Sequence, residues 1–209
     1  MGARRLSDSA AWNARYAETP GMFGQAPNEF LLEQEHRLRP GMAALALGDG
    51  EGRNGVWLAG RGLDVTALDW SATGMARAAG LAAARGVAVA TVVADATRWD
   101  WPQARFDLVA WIFVHLPPAD RAAVAAGVRR ALKPGGLLVL ECFSPAQEGR
   151  RSGGPRMPEL LFTRTIVEEA FAGFEVLALL EGTVRLDEGP KHQGLAEVVR
   201  AVLRAPAGR

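Results

Sequence analysis

Short apolar runs alternate along this sequence with longer, Ala-rich segments, and glycine, proline or aspartate stands at most of the junctions. The short runs are predicted strands and the longer segments predicted helices. The predicted strands are 42–47, 64–69, 87–93, 106–113, 137–143 and 174–180, the predicted helices are 53–61, 72–84, 118–132 and 164–171, and residues 195–204 fit either type. This alternation predicts an α/β fold, in which helices cover both faces of a parallel sheet. Ligands of such sheets bind beyond the carboxyl ends of the strands, so functional residues are expected there.

The chain length of 209 residues suits a single domain over 1–209. We expect a core at 41–209 and an N-terminal helical lid at 1–40, because aromatic residues precede the first strand and have no role in the sheet. Those aromatic residues are Trp12, Tyr16 and Phe23. Residues 144–158 are polar and glycine-rich, which predicts a functional loop or a further lid. Ser71 is predicted to cap the helix that follows it.

Composition excludes several classes of protein. Lys and Arg number 24 against 23 Asp and Glu, a net charge of +1, whereas nucleic-acid-binding domains are typically strongly basic. Cys142 is the single cysteine, which fits a reducing, cytoplasmic location. His36, His115 and His192 are far apart in sequence, so no metal site is expected. Apolar runs are too short to span a membrane. A small-molecule partner is expected, and the oligomeric state stays open.

A glycine-rich loop follows the first predicted strand. Gly48, Gly50 and Gly52 form G-x-G-x-G, while Gly50, Gly52 and Gly55 form G-x-G-x-x-G. The first spacing is familiar from S-adenosylmethionine binders and the second from dinucleotide binders. Asp69 ends the second predicted strand, where an acid binds ribose hydroxyls in nucleotide-binding folds. Both cofactors therefore fit the spacing.

The charges of the loop favour the first cofactor. Asp49 and Glu51 would stand beside the pyrophosphate of a dinucleotide, and like charges at short range repel. S-adenosylmethionine carries an ammonium and a sulfonium, which acids attract. Its carboxylate could be held by Arg53 or by backbone N–H groups.

Further candidates follow the other predicted strands. Asp95 is placed to accept a hydrogen bond from an adenine amino group, and the competing interpretation is an Asx turn. Trp70 and Trp111 lie at or near strand ends and could flank an adenine or a substrate, although most tryptophans are core residues.

These motifs together resemble a known family. ALGDGEGRNGVWLA, DVTALDWS, VVADAT, FDLVAWIFVHLPP and ALKPGGLLVLE resemble the ordered motifs of class I S-adenosylmethionine-dependent methyltransferases. The GEGRN form, WNARY, FGQAPNEFL, FSPAQ and LDEGPKHQG are similar to the small tellurite-resistance and thiopurine-type branch. The resemblance covers roughly residues 12–203. It implies a Rossmann-like seven-stranded, mostly parallel sheet with helices on both faces and an antiparallel last strand.

The resemblance also implies cofactor contacts, position by position. They fall on Gly48, Asp49, Gly50, Gly52 and Asn54 in the loop, on Asp69 at the ribose, on Trp70, Asp95 and Ala96 at the adenine, and on Trp111, Ile112 and His115 between cofactor and substrate. Two positions depart from the family. Ala46 stands where many relatives carry an acid, and Asp49 where a small residue or cysteine is common. The methionine ammonium is therefore assigned to Asp49, to Glu51 or to backbone carbonyls, without a choice among them.

The predicted function is in-line methyl transfer from S-adenosylmethionine to a small molecule, with a small anion or a thiol as acceptor. Such nucleophiles need no general base, whereas an alcohol or amine would use His115 or His192. The competing interpretations are a histidine satisfied by backbone groups and a solvent-facing turn, respectively. Arginines that could attract an anion are Arg150, Arg151 and Arg156. The alternatives are an NAD(P)-dependent oxidoreductase and a non-catalytic S-adenosylmethionine-binding protein.

Overall fold

The computed structural model describes residues 8–208. The first seven residues of the predicted lid and the last residue of the predicted domain lie outside that range. The helices are α1 (Ser9–Glu18), α2 (Glu29–Glu33), α3 (Arg53–Gly60), α4 (Ala72–Ala84), α5 (Pro118–Ala131) and α6 (Arg164–Ala170). The strands are β1 (Ala43–Leu47), β2 (Asp64–Asp69), β3 (Ala90–Val93), β4 (Phe106–Ile112), β5 (Leu132–Phe143), β6 (Glu175–Asp187) and β7 (Gln193–Arg204). Short 3₁₀ turns occur at Glu35–Arg37, Pro145–Gln147 and Pro158–Leu160.

Within the described residues, seven strands form one sheet in the order β3-β2-β1-β4-β5-β7-β6. The strands β1 to β5 pair in parallel, and β7 pairs antiparallel with both β5 and β6. The predicted mostly parallel sheet with an antiparallel last strand is confirmed. Because β6 runs parallel to β5, the β6–β7 hairpin lies at the same carboxyl edge as the loops after β1 to β5.

Alternation along the central strands places side chains in two apolar layers, one on each face of the sheet. Leu45, Val109 and Leu138 lie in one layer, and Ala44, Leu108 and Val139 lie in the other. Helix α4 begins as predicted, because the Ser71 hydroxyl accepts a hydrogen bond from the Gly74 N–H at 3.0 Å. Helix α3 begins directly after Gly52, whose φ of +91° lies in the left-handed region that favours glycine.

Several predicted elements differ in the structure, and β5 begins at Leu132 instead of residue 137. β3 covers only the last part of the predicted strand 87–93, because the Val87 N–H still bonds to the Ala82 carbonyl at the end of α4. β6 continues well past residue 180 to Asp187, since β7 pairs with it along its length. Residues 195–204 belong to a strand, which hydrogen-bonds β5 on one side and β6 on the other.

Candidate functional site

A cavity of about 860 Å³ lies at the carboxyl edge of the sheet, beside the N-terminal segment. Strand order divides its walls into two halves. The glycine-loop half is formed by parts of the glycine loop after β1, by residues 69–70 at the end of β2 and by residues 94–97 after β3. The other half is formed by residues 112–117 after β4, the end of β5 with the loop that follows it, and the β6–β7 hairpin. It is called the aromatic half because the rings of Phe113, Phe143 and His192 line it. One cavity therefore joins the predicted cofactor residues to a second region that is lined by aromatic rings.

The glycine loop is shaped by close packing. Gly48 and Gly50 have φ values of +60° and +56°. A Cβ on Gly50 would lie 2.2 Å from the Tyr16 hydroxyl, and one on Gly52 would lie 2.7 Å from Ala78. The glycines thus let α1 and α4 approach the backbone of the loop. Gly50 and Gly52 are not among the cavity-lining residues, whereas Gly48 is.

Asp49 holds the start of α3. Both of its carboxylate oxygens accept the Gly55 N–H, at 3.1 and 3.2 Å, which satisfies a free N–H of the first helical turn. The side chain is buried, and burial raises the pKa of Asp49 to about 7, with the nearby Asp69 charge as a further cause. The residue borders the cavity, but its oxygens are already engaged with the chain.

Glu51 anchors the N-terminal segment to the loop. Its two oxygens accept the Gly21 N–H at 3.0 and 2.9 Å, and one also pairs with Arg77 at 2.8 Å. Asn13 on α1 adds a second anchor, because its carbonyl oxygen accepts hydrogen bonds from Ser71 Oγ and Thr73 N–H. The segment that lines the cavity is therefore attached on the glycine-loop half.

Asp69 joins β2 to the glycine loop. One carboxylate oxygen accepts the Gly50 N–H at 3.1 Å and the other accepts the Ser71 N–H at 2.8 Å. Burial raises the pKa of Asp69, and these N–H donors oppose that rise. The side chain lines the cavity where the sequence places a ribose contact.

The residues after β2 and β3 complete the glycine-loop half. Asp95 forms an Asx turn, since one oxygen accepts from Thr97 N–H at 3.0 Å and from its hydroxyl at 2.7 Å. Ala96 accepts a hydrogen bond from the Trp101 indole through its carbonyl. Trp70, Asp95 and Ala96 all line the cavity and are half-buried.

Trp111 is a core residue in the structure, whereas the sequence analysis named it as a candidate cofactor contact. Its side chain is fully buried, and the indole N–H donates to the Val114 carbonyl at 2.9 Å. The ring packs edge-on against Phe162 and is not among the lining residues. Trp111 lies near the end of the buried strand β4, and its side chain packs into the apolar layer on one face of the sheet.

His115 lines the aromatic half, but the backbone occupies both of its ring nitrogens. Nδ1 lies 3.0 Å from the Leu160 carbonyl, which can only accept, so Nδ1 carries the proton. Nε2 then accepts the Phe143 N–H at 3.4 Å. Burial lowers the pKa of His115 to about 4. The arrangement matches the backbone-satisfied interpretation and leaves no ring nitrogen for a general base.

His192 has a different environment. It lies in the β6–β7 hairpin with only 6% of its surface exposed, and Nδ1 has no hydrogen-bond partner among residues 8–208. Its ring lies 4.7 Å from Phe23, 4.5 Å from Phe113 and 5.4 Å from Phe143, measured between centroids. Burial, and secondarily the Arg53 charge, lower the pKa of His192 to about 3, so the imidazole is neutral at physiological pH.

A buried polar network, absent from the sequence analysis, ties the two halves together. Arg53 pairs with Glu188 at 2.7 Å, and Glu188 also accepts from the Asn28 side-chain amide at 2.8 Å. The same amide reaches Glu141, which pairs with Arg200 at 2.7 Å. Asn54 joins through its carbonyl oxygen, which accepts the Asn28 N–H. The two cations and two anions balance, as burial of charge requires. The sequence feature that could have indicated this network is a charged residue within an otherwise apolar strand, Glu141 in β5 and Arg200 in β7.

The loop 144–158 is fixed against β7. The Gln147 side chain donates to Ser152 Oγ and to the Gly153 carbonyl, and it accepts the Glu197 N–H at 2.8 Å. Arg150 is paired with Glu197. Of the three loop arginines, only Arg156 lines the cavity. The predicted arginine cluster therefore contributes one cation to the site.

Residues 8–208 contain no group of three or more His, Cys, Asp and Glu arranged to hold a metal ion. No helix in the same range is both long and apolar enough to cross a bilayer.

Comparison with known proteins agrees with this geometry. Residues 44–136, under half of the chain, match a family described as a methyltransferase domain. No curated protein matches the sequence. A structure described as "Conversion of a Disulfide Bond into a Thioacetal Group during Echinomycin Biosynthesis" is 23% identical, with a TM-score of 0.79 over 96% of this chain and 93% of that one.

Two further solved structures share the fold. The N-methyltransferase NodS from Bradyrhizobium japonicum WM9, in complex with S-adenosyl-L-homocysteine, is 16% identical, with a TM-score of 0.71 over 96% of this chain and 100% of that one. TehB from Haemophilus influenzae is 18% identical, with a TM-score of 0.68 over 94% of this chain and 66% of that one.

Residues 44–136 match a methyltransferase domain, and the chain shares its fold with solved methyltransferase structures, one of them in complex with S-adenosyl-L-homocysteine. Of the two cofactors that the glycine spacing left open, S-adenosylmethionine is the one that a methyltransferase domain implies. The residues present fit that cofactor, because a cavity of about 860 Å³ adjoins the glycine loop and carries a carboxylate at each of two strand ends.

Proposed function

We propose that this methyltransferase acts on a small molecule and transfers the methyl group in line to a thiol or a small anion. The observation that carries the proposal is the single cavity with two chemically distinct halves. The glycine-loop half would hold the cofactor, and the aromatic half would hold the acceptor. When bound, S-adenosylmethionine would supply an electrophilic methyl group with the neutral thioether S-adenosylhomocysteine as its leaving group, and the two halves would hold cofactor and acceptor in line.

On the glycine-loop half, we assign cofactor contacts to the strand-end acids and the loop backbone. Asp69 would accept ribose hydroxyls with its remaining lone pairs, and Trp70, Asp95 and Ala96 would surround the adenine. Gly48 and Asn54 border the same space. Arg53 would hold the methionine carboxylate while its other side pairs with Glu188. Asp49 and Glu51 would shape the loop beside the methionine part of the cofactor without binding its ammonium directly, because their oxygens already accept N–H groups of the chain.

On the aromatic half, the side chains favour an acceptor that needs no proton removed. His115 has both nitrogens engaged, and His192 is neutral with a low pKa of about 3, so both are weak bases. The enzyme's contribution would be alignment and exclusion of water. An ionised thiol fits this chemistry. A small anion would meet two cations that line this half, Arg156 and Lys191, so it also stays within the proposal.

The N-terminal segment would act as the lid over the bound cofactor. Trp12, Tyr16 and Phe23 line the cavity, and Gly21 is held by Glu51. On the opposite side the Lys191 N–H donates to the Met22 carbonyl at 3.1 Å. The lid would thereby bridge both halves. A place in the tellurite-resistance and thiopurine-type branch rests on the sequence motifs, since the similarity to TehB concerns the fold.

The experiment is a methyl-transfer assay that follows S-adenosylhomocysteine formation over a panel of thiols, selenite and tellurite. Calorimetry with S-adenosylmethionine and with NAD(P) runs beside it. We expect S-adenosylmethionine to bind, the dinucleotides to give no heat, and at least one thiol to be methylated. Binding without turnover of any acceptor would instead favour the alternative of a non-catalytic S-adenosylmethionine-binding protein.

A further inference from the structure

The aromatic half contains a polar group that the fold does not satisfy. The His192 imidazole is buried, and its Nδ1 lacks a hydrogen-bond partner among the described residues. Buried polar side-chain atoms are nearly always hydrogen-bonded, so an unpaired one that borders a cavity is available to a molecule bound there. The cavity lining includes His192 itself.

Several backbone contacts fix the position of this ring. The Glu188 N–H donates to the His192 carbonyl at 2.8 Å, and the His192 N–H donates to the Gly189 carbonyl at 3.1 Å. Gly153 leaves room for the imidazole, because a Cβ there would lie 2.7 Å from ring atom Cδ2. The ring is therefore held in place by the hairpin and by the loop after β5, and it is not a side chain at a solvent-facing turn.

Three phenylalanines from separate segments surround the ring. Phe23 comes from the N-terminal segment, Phe113 follows β4 and Phe143 ends β5. Phe113 has a φ of +53°, a left-handed conformation that is uncommon for a bulky side chain and is typical of functional sites. That turn brings the Phe113 ring within 4.6 Å of Phe143, in a stacked arrangement, and within 4.5 Å of His192. All four rings line the cavity.

We propose that these four rings form the acceptor subsite, which takes an organic molecule with a flat apolar body and one polar atom that hydrogen-bonds to His192. The inference rests on the proposed function, and it narrows the acceptor to this class. His192 is then a specificity-determining residue that binds the acceptor and transfers no proton. Phenylalanine faces favour a flat apolar body. A hydrated oxyanion such as selenite would lose water against the phenylalanine rings, and Arg156 and Lys191 also line this half, so we expect selenite to bind those cations without a hydrogen bond to His192.

The neutral state of the imidazole supports a binding role. Burial and the Arg53 charge lower the pKa of His192, so the ring offers one N–H donor and one acceptor nitrogen at physiological pH. A base this weak would not take a proton from an alcohol or an amine. It can still bind the polar atom of a ligand, whichever nitrogen carries the proton.

The test uses the full-length protein saturated with S-adenosylhomocysteine, so that no turnover is needed. Histidine is labelled with ¹⁵N, and thiophenol, toluene and selenite are titrated separately. We expect thiophenol to shift the ring nitrogens of His192 well beyond those of the exposed His36. Toluene, which lacks the polar atom, should bind at least about tenfold more weakly, and selenite should shift neither histidine.

Variants separate the hydrogen bond from the shape of the subsite. His192→Phe keeps an aromatic ring and should weaken thiophenol binding about tenfold, while His192→Gln, which can donate and accept, should restore part of it. His36→Gln is the matched control and should bind like the unmodified protein. Equal thiophenol binding by His192→Phe, or a selenite-induced shift at His192, would overturn the inference. Methylation of some other acceptor with His192 unaffected would refute this subsite but leave the proposed function standing.

Discussion

Replacing His192 by glutamine should make the protein less sensitive to acid. In the folded state burial lowers the pKa of His192 to about 3, whereas in the unfolded chain it returns to the ordinary value of 6.5. Below pH 6.5 His192 is therefore protonated in the unfolded state but not in the folded state, and the free energy of unfolding falls as the pH falls. Each pH unit in this window costs about 1.4 kcal/mol, so from about pH 7.5 to about pH 5 the loss is roughly 2 kcal/mol.

The comparison between the two proteins isolates this effect. His115 contributes a loss of the same sign, because its pKa is lowered to about 4. Asp49 opposes both, since its pKa is raised to about 7 and the folded state gains stability as the pH falls towards the ordinary value of 3.8. His115 and Asp49 are present in both the unmodified protein and His192→Gln, so their contributions cancel in the difference between the two free energies of unfolding. Glutamine does not titrate, so the remaining pH dependence comes from His192.

The assay is urea unfolding of both proteins at the two pH values. The difference in free energy of unfolding between unmodified protein and variant should change by about 2 kcal/mol, with the unmodified protein losing more in acid. A difference that stays constant with pH would mean that His192 is protonated in the folded state, which would refute the dry, neutral environment derived from its burial.

Two further predictions concern the polar network and the glycine loop. Glu188→Gln should lower the free energy of unfolding in urea by about 3 kcal/mol or more, because it leaves the buried Arg53 charge uncompensated. The control Glu175→Gln, at an exposed ion pair, should lower it by under about 1 kcal/mol. Equal losses in the two variants would contradict the network. Gly50→Ala should weaken S-adenosylhomocysteine binding at least about tenfold in calorimetry, since its Cβ would lie 2.2 Å from the Tyr16 hydroxyl. The control Gly80→Ala, on α4 with open space around it, should bind with normal affinity. Unchanged affinity in Gly50→Ala would contradict the role given to the loop.

Local signals in the sequence were sufficient for the architecture of the core. Strand and helix alternation predicted the parallel sheet, and Ser71 marked the start of α4 correctly. The glycine loop and Asp69 were assigned to the carboxyl edge, where the structure has them. These features depend on backbone conformation and burial, which a residue and its near neighbours largely determine.

Local sequence patterns did not predict the hydrogen-bond partners of the site residues. The sequence analysis gave Asp49, Glu51 and Asp69 to the cofactor, yet each carboxylate already accepts N–H bonds from the chain. Trp111 stands at a strand end like Trp70, but it points into the core and Trp70 borders the cavity. An apolar pattern specifies that a side chain is buried, and it does not specify against which neighbour.

The sequence by itself thus determined the α/β sheet, the edge at which the site lies and the glycine loop that shapes its first half. Only the tertiary structure decided the second half. Asn28 contacts Glu141 and Glu188, 113 and 160 residues away in the chain, and the rings around His192 also come from other segments of the chain. The final apolar segment became a strand because β5 and β6 offered hydrogen bonds on both of its sides. Periodicity records the local backbone, whereas these contacts exist only once distant segments have been brought together by the folded sheet.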